Sequence, residues 1–269
     1  LPDMGSLPNP QVAPSEYGDR MKRNQSFLSI NVVQSDILST ACTLASLMGT
    51  GKRVGVLVMA CSRHDGGGVQ TGKGAQEENT WRRTSLSYQK TLPWTVWDVN
   101  QGRVIVHPTS FVLRGREEDG YPHLSEPVPI AVISAAAPSK PPLRTAIDRN
   151  NHPISMYKYP STVSEMHQIL KSIVMAASTF CDIMVMGAIG CGAFSHPPNE
   201  VAEMMKECIE AYGHGSWVVA VREDHNSWME HNPRGNVRPF KEITIEPVIL
   251  RPPPPPPMDT ADSSPEPES

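Results

Sequence analysis

The sequence predicts an α/β fold: a mixed β-sheet sandwiched between helices, with a disordered arm at each terminus. Apolar runs of strand length alternate with segments of helical period through residues 26–250. Two runs, RVGVLVMA (53–60) and CDIMVMGAIG (181–190), are almost continuously apolar, as strands covered on both faces must be. Each is followed by a glycine-rich loop that leads into a helix, and ligands of such sheets bind beyond the carboxyl ends of the strands.

The chain has 269 residues, 39% hydrophobic and 19% charged, which suits a globular body with a true core. Its net charge is -4. The last 19 residues hold one Arg against Asp259, Asp262, Glu266 and Glu268, a net of -3, so the body is nearly neutral. A broad polyanion-binding face is therefore not expected from the totals, while a local basic pocket is compatible with them. Five cysteines without a C-x-x-C pair predict neither a disulfide framework nor a zinc knuckle, and fit an intracellular, cytoplasmic or nuclear, reducing compartment. No apolar run is long enough to cross a bilayer, and the first ten residues have no signal core. Position 1 is Leu, so the chain reads as a processed or excised piece of something longer.

Residues 1–25 read as a flexible arm. SFLSINVV (26–33) is rich in β-branched residues and predicts a strand. ILSTACTLASLMGTG (37–51) predicts a helix with Leu38, Cys42, Ala45 and Met48 on one face, stopped by Gly49 and Gly51. After the strand at 53–60 comes GGGVQTGKGAQEE (66–78), and AQEENTWRRTSLSYQK opens a helix. RVIVH (103–107) and TSFVLR (109–114) are expected to pair as edge elements, and PIAVISAAA (129–137) to form a buried strand. STVSEMHQILKSIVMAAS (161–178) predicts a helix, with Thr162 and Glu165 as a capping box and Met166, Ile169, Ile173 and Ala177 as the buried face. The strand at 181–190 feeds the loop GAIGCGAF (187–194), followed by a helix over 199–212. SWVVAV (216–221) and EITIEPVIL (242–250) read as late strands. The tail from 251 is a polyproline rod, PPPPPP (252–257), followed by an acidic Ser/Pro stretch. The rod serves as a spacer or docks on an SH3- or WW-type module.

Glycines after a strand let main-chain N–H groups converge without Cβ atoms in the way, and converging amides at a helix start bind phosphate. Two such loops facing each other could grip a diphosphate, with flanking sugars reaching Glu77 and Glu78. The plain alternative is a pair of tight turns and a solvated first helical turn. A general acid needs a pKa raised by burial or by a neighbouring negative charge, which an adjacent carboxylate and a bound diphosphate would supply.

GGGVQTGKGAQEE resembles the glycine-rich QEE signature of the poly(ADP-ribose) glycohydrolases. MVMGAIGCGAF, RRTSL, VISAAAP and NEVAEM resemble the microbial-type branch, in order, over residues 28–245. The resemblance implies a macrodomain-like catalytic domain over 26–250 that hydrolyses ribose–ribose O-glycosidic bonds of poly(ADP-ribose) and releases ADP-ribose. It implies Glu78 as general acid and base, and Glu77 as the residue holding the ribose. Gly66, Gly67, Gly68 and Gln76 would line the terminal ribose and diphosphate. Gly190, Cys191, Gly192 and Ala193 would cradle the diphosphate, and Phe194 would pack beside the terminal ribose. No cofactor and no metal is implied. The partners implied are poly(ADP-ribose), ADP-ribosylated proteins and ADP-ribose as product, with no membrane and no direct DNA binding. A non-catalytic ADP-ribose reader and a mono-ADP-ribosyl hydrolase share the cleft and stay open as alternatives. His64-Asp65 stands where the family often has Asn-Pro, and Val58-Met59-Ala60 where it commonly has Asn-Phe-Ala. Asp36, in QSDIL, is either an adenine contact or a helix N-cap.

Other features carry less. GTGKR (49–53) lacks the spacing of a phosphate-binding P-loop. Cys191 has no visible partner base and reads as a small buried residue. Arg82 and Arg83 either steer an anionic polymer or belong to a solvated face. His214, His225 and His231 have no metal-like spacing and are expected in a surface loop.

Overall fold

The structure is a computed structural model that describes residues 27–49, 51–91, 95–99, 102–148, 150–229 and 231–249. Both arms, 1–25 and 251–269, lie outside the described residues, and with them the proline run and its docking role. The elements in chain order are β1 (Phe27–Val33), α1 (Ile37–Met48), β2 (Val54–Met59), α2 (Gln76–Arg83), β3 (Thr95–Val99), β4 (Gly102–Arg114) and β5 (His123–Ala135). Then come β6 (Leu143–Ile147), β7 (Pro153–Tyr157), α3 (Pro160–Phe180), β8 (Ile183–Met186), α4 (Pro198–Tyr212), β9 (Gly215–Ala220), α5 (Val237–Lys241) and β10 (Ile245–Ile249).

One eight-stranded sheet runs β10-β1-β9-β8-β2-β5-β4-β3, and β6 and β7 form a separate hairpin. The five strands from β1 to β5 in that order are parallel, with antiparallel strands added at both sides. All five carboxyl ends therefore lie at one end of the sheet, where both glycine loops emerge. The mixed sheet between helices is the expected fold. β8 is buried along its whole length and β2 in all but its last residue, which explains their unbroken apolar sequence. One core cluster seats α3 through Met166, Leu170, Ile173 and Ala177, and α4 through Val201, Met205 and Cys208. A second, on the other face, seats α1 through Ile37, Leu38 and Ala41. Of the four residues expected to form the α1 face, Leu38 is buried, whereas Met48 is 43% exposed.

Several boundaries and pairings differ from the sequence reading. Residues 103–107 and 109–114 do not pair with each other; they are two halves of β4, which pairs with β5 along its length. Pro108 sits in the register shift between His107 and Ser110, just past Val106, where β3 pairing ends. A bulge beyond the end of a neighbouring strand tolerates a residue without an N–H. β5 starts six residues before 129, because its first half is a ribbon with β4 that the core does not cover. α3 starts at Pro160 with Tyr159 at its N-cap and no side-chain cap, so Thr162 and Glu165 form no capping box. Proline supplies the fixed φ of a first helical position instead. α2 ends at Arg83, and a 3-10 segment, Ser85–Thr91, replaces its expected continuation.

Candidate active site

β2 delivers the chain to the cleft end of the sheet, and α2 returns beneath the first glycine loop with its opening residues turned inward. Glu77 and Glu78 are each 5% exposed, so the first turn is not a solvated one. Gln76 Oε1 accepts from Met59 N at 2.9 Å, and its Nε2 donates to Leu57 O at 3.0 Å. Ala60 N bonds toward β5, so by strand alternation Met59 faces the opposite edge. The β8 pairing has ended there, at Val56. The Gln76 amide thus stands in for a missing strand, and its remaining donor reaches Thr80 Oγ1 at 3.2 Å, so its hydrogen-bonding groups are committed within the protein.

Glu77 is likewise committed to the loop. Its Oε2 accepts from Cys61 N at 2.7 Å and its Oε1 from Gly66 N at 2.9 Å. The expectation that Glu77 holds a sugar meets a side chain that first of all holds its own glycine loop. Burial pushes its carboxyl up to about 7, against the pull of those two N–H donors, with Glu78 and Asp65 adding to the rise. Glu78 differs. Its Oε1 accepts from Gly68 N at 2.7 Å, while its Oε2 is buried with no partner among the described residues.

The glycines are required by close approach. Gly66 and Gly67 have φ of 74° and 54°, the left-handed region. A Cβ on Gly66 would lie 2.7 Å from the Trp81 ring, and one on Gly67 would lie 2.5 Å from Glu78 Oε1. Arg82 donates to the carbonyls of Val69 and Lys73, bracing the same loop. Arg83 is 3% exposed and pairs with Asp36 Oδ1 at 2.8 Å. Arg83 is therefore not part of a solvated face, and half-buried Arg82 is engaged with its own loop. Asp36 is the N-cap of α1, accepting from Ser39 N at 3.0 Å. Burial of its carboxyl is outweighed by the Ser39 N–H and the Arg83 guanidinium, which hold it below the usual carboxylate range.

The second loop, 187–197, is packed against the first region: a Cβ on Gly187 would lie 2.8 Å from Ile37 Cδ1 and 3.2 Å from Met59 Cε. Within it, the N–H of Cys191 bonds Ala188 O, Ser195 bonds Gly192 O and His196 bonds Gly190 O. The N–H groups of Gly190, Gly192, Ala193 and Phe194 have no protein partner among the described residues. Cys191 points its thiol inward, fully buried, and burial pushes it up, so it is no nucleophile.

This loop is braced by residues that sequence reasoning missed. His196, fully buried, hydrogen-bonds Tyr157 Oη through Nδ1 and Pro138 O through Nε2, both at 2.6 Å. A carbonyl can only accept, so Nε2 carries the proton and Nδ1 accepts from the tyrosine hydroxyl. Burial lowers the imidazole pKa and keeps it neutral. The partners lie 39 and 58 positions away along the chain, so no local pattern announces them. His231, expected in a surface loop, bonds Cys191 O at 2.9 Å. His214, expected there too, is buried at the start of β9, because Trp217 packs beside it and takes its carbonyl.

Residues 8–103 match the family model of the microbial-type PARG catalytic domain. The match takes in the first loop and α2 and ends before the second loop. No curated protein matches the chain by sequence. Poly(ADP-ribose) glycohydrolase from Deinococcus radiodurans, in complex with ADP-ribose, superposes with a TM-score of 0.62 at 20% identity, over 85% of this chain and 90% of that one. The same enzyme from Thermomonospora curvata, bound to the inhibitor ADP-HPD, gives 0.59 at 21% identity, over 85% of this chain and 82% of that one. At such identity the likeness is one of fold.

Proposed function

We propose that the chain is a poly(ADP-ribose) glycohydrolase, a glycosidase that cleaves ribose–ribose O-glycosidic bonds and releases ADP-ribose. One observation carries the reading: the buried, unpartnered Oε2 of Glu78, in a site where the neighbouring carboxylate is fully bonded. A buried carboxyl oxygen without a partner is costly, and a bound hydroxyl or water would relieve it.

Glu78 then acts alone at the bond. Gly68 N fixes Oε1 and leaves Oε2 to face the ligand. Protonated Glu78 gives its proton to the leaving ribose oxygen, an oxocarbenium-like ribose forms, and a water attacks it. That water surrenders a proton to Glu78, which restores the acid. The pair of carboxylates that usually flanks a glycosidic bond is not used, because adjacent helical residues cannot straddle it. Glu77 sets the loop on which the ribose rests. In this reading the open amides of Gly190, Gly192, Ala193 and Phe194 would receive the diphosphate and Phe194 would pack beside the terminal ribose, which the absence of a protein partner for those amides among the described residues supports. All five cysteines are free, which supports residence in a reducing intracellular compartment.

The test incubates auto-modified, poly(ADP-ribosyl)ated protein with the chain and with Glu78→Ala, following free ADP-ribose by chromatography. Release by the parent alone is expected. No release by either, with ADP-ribose still bound in calorimetry, would make the chain a reader instead.

A further inference from the structure

A second anion-receiving feature lies outside the cleft. α3 and α4 both begin at the cleft end of the sheet and run back along one face, and between them lies a groove of about 610 Å³. Its head is formed by the end of β7 and the start of α3, with Arg144, Tyr157 and Lys158, and its foot by Lys171 and Tyr212. From Tyr159 to Lys171 it follows twelve residues of α3, about 18 Å. The head abuts the second glycine loop, since Tyr157 Oη reaches His196.

The walls carry three cations, Arg144, Lys158 and Lys171, against two carboxylates, and Arg144 stands within electrostatic reach of Glu200. Arg144, Lys158 and Lys171 form no ion pair among the described residues. Two of them are poised over aromatic faces, Lys158 at 5.5 Å from the Tyr159 ring centre and Lys171 at 4.8 Å from that of Tyr212. The carboxylates in the groove are Glu200 and Glu207. Glu200 already accepts from Tyr157 N, and burial pushes its carboxyl above the usual range. Three cations outside the ion pairs of the described residues are thus spaced along a groove that starts beside the second glycine loop, in a body with almost no net charge.

We propose that this groove is the track for the polymer beyond the unit held in the cleft, with Arg144, Lys158 and Lys171 meeting successive phosphates. The inference rests on the glycohydrolase reading, and makes the chain a reader of polymer length as well as of its end. Cations that meet phosphates along a polyanion release counterions, so the extra affinity must fall as salt rises.

The experiment uses the Glu78→Gln chain, so that polymer survives, with purified long-chain poly(ADP-ribose), ADP-ribose and a single-stranded RNA of matched charge as probes. Binding is followed by fluorescence anisotropy at low and moderate salt. Long polymer should bind at least about tenfold tighter than ADP-ribose, with the steeper salt dependence. Arg144→Ala/Lys158→Ala/Lys171→Ala, all on the rim, should abolish that gain and leave ADP-ribose affinity unchanged. Equal binding of long polymer by the triple variant and its parent would overturn the track, as would RNA binding as tight as polymer and lost in the same variant. Absence of ADP-ribose binding by the parent is a separate failure, that of the cleft, because the track is judged on the polymer difference alone.

Discussion

The two glycine loops come from neighbouring parallel strands and are both rich in glycine, yet they are held in opposite ways. In the first, backbone N–H groups of Cys61, Gly66 and Gly68 point at side-chain carboxylates, so the loop takes its shape from Glu77 and Glu78. In the second, the imidazoles of His196 and His231 hold carbonyls around the loop, and its own amides stay open among the described residues. One loop is closed around negative charge that the protein supplies. The other is kept ready for negative charge brought by a ligand. Glycine-rich backbone thus folds around carboxylates in one case and leaves its amides open in the other, and in the proposed mechanism the first serves proton transfer and the second the diphosphate.

The comparison can be broken most severely at Glu78. Glu78→Gln should keep the contact to Gly68 N but lose the transferable proton, lowering kcat on the order of 100- to 10,000-fold in the ADP-ribose release assay. ADP-ribose affinity should stay within a few-fold, since the second loop is untouched. Next comes Gly67→Ala. Its Cβ would enter the space of Glu78 Oε1 at a left-handed φ, so activity should fall on the order of 100-fold. Chemical denaturation should register a stability loss of about 1–2 kcal/mol.

Proton linkage separates the loops by sign. The Glu77 carboxyl sits near 7 in the fold against an ordinary 4.5, so the folded chain binds the extra proton between those values. Stability from this group is present below about 4.5 and is lost as pH rises through about 7, by at most about 3 kcal/mol. His196 is lowered instead, so its contribution is present above the ordinary imidazole value and is lost as pH falls below it. Urea titrations across pH 4–8 should show Glu77→Gln removing a decline with pH, and His196→Gln removing a rise. If neither slope changes, the contrast between the loops is wrong. Tyr157→Phe is a milder probe: losing one buried hydrogen bond to His196 costs about 1 kcal/mol, and ADP-ribose binding should weaken several-fold while Glu78 chemistry is retained. Cys191→Ala should do least, leaving turnover within about threefold of the parent, since the thiol faces the core.

The parts of this fold that were legible are those decided locally. β2 and β8 read correctly because burial on both faces leaves only apolar residues, and the two loops because no other residue type could sit at Gly66 or Gly190. β4 was misread because Pro108 looks like a break, and only the sheet shows that a bulge accommodates it. The β6–β7 hairpin was not seen because both strands are half-exposed and lack a clean alternation. In the site, residue types were legible and their assignments less so. Glu78 and the open amides can be named from a motif, whereas the partners of Gln76, Glu77, Arg83 and His196 are set by tertiary contacts 11 to 58 positions apart in the chain.

Gln76 has a consequence for anyone wishing to move this chemistry elsewhere. Its side-chain amide completes the edge of β2 where β8 has turned away, and in doing so fixes the rotation of the helix that bears both glutamates. A carboxylate there could accept from Met59 N but could not donate to Leu57 O; an alanine could do neither. Grafting two glutamates onto the corresponding turn of a binding-only relative would therefore transplant the reagent without its alignment. The smallest portable unit is the three-residue stretch together with an unpaired strand edge to receive its first residue.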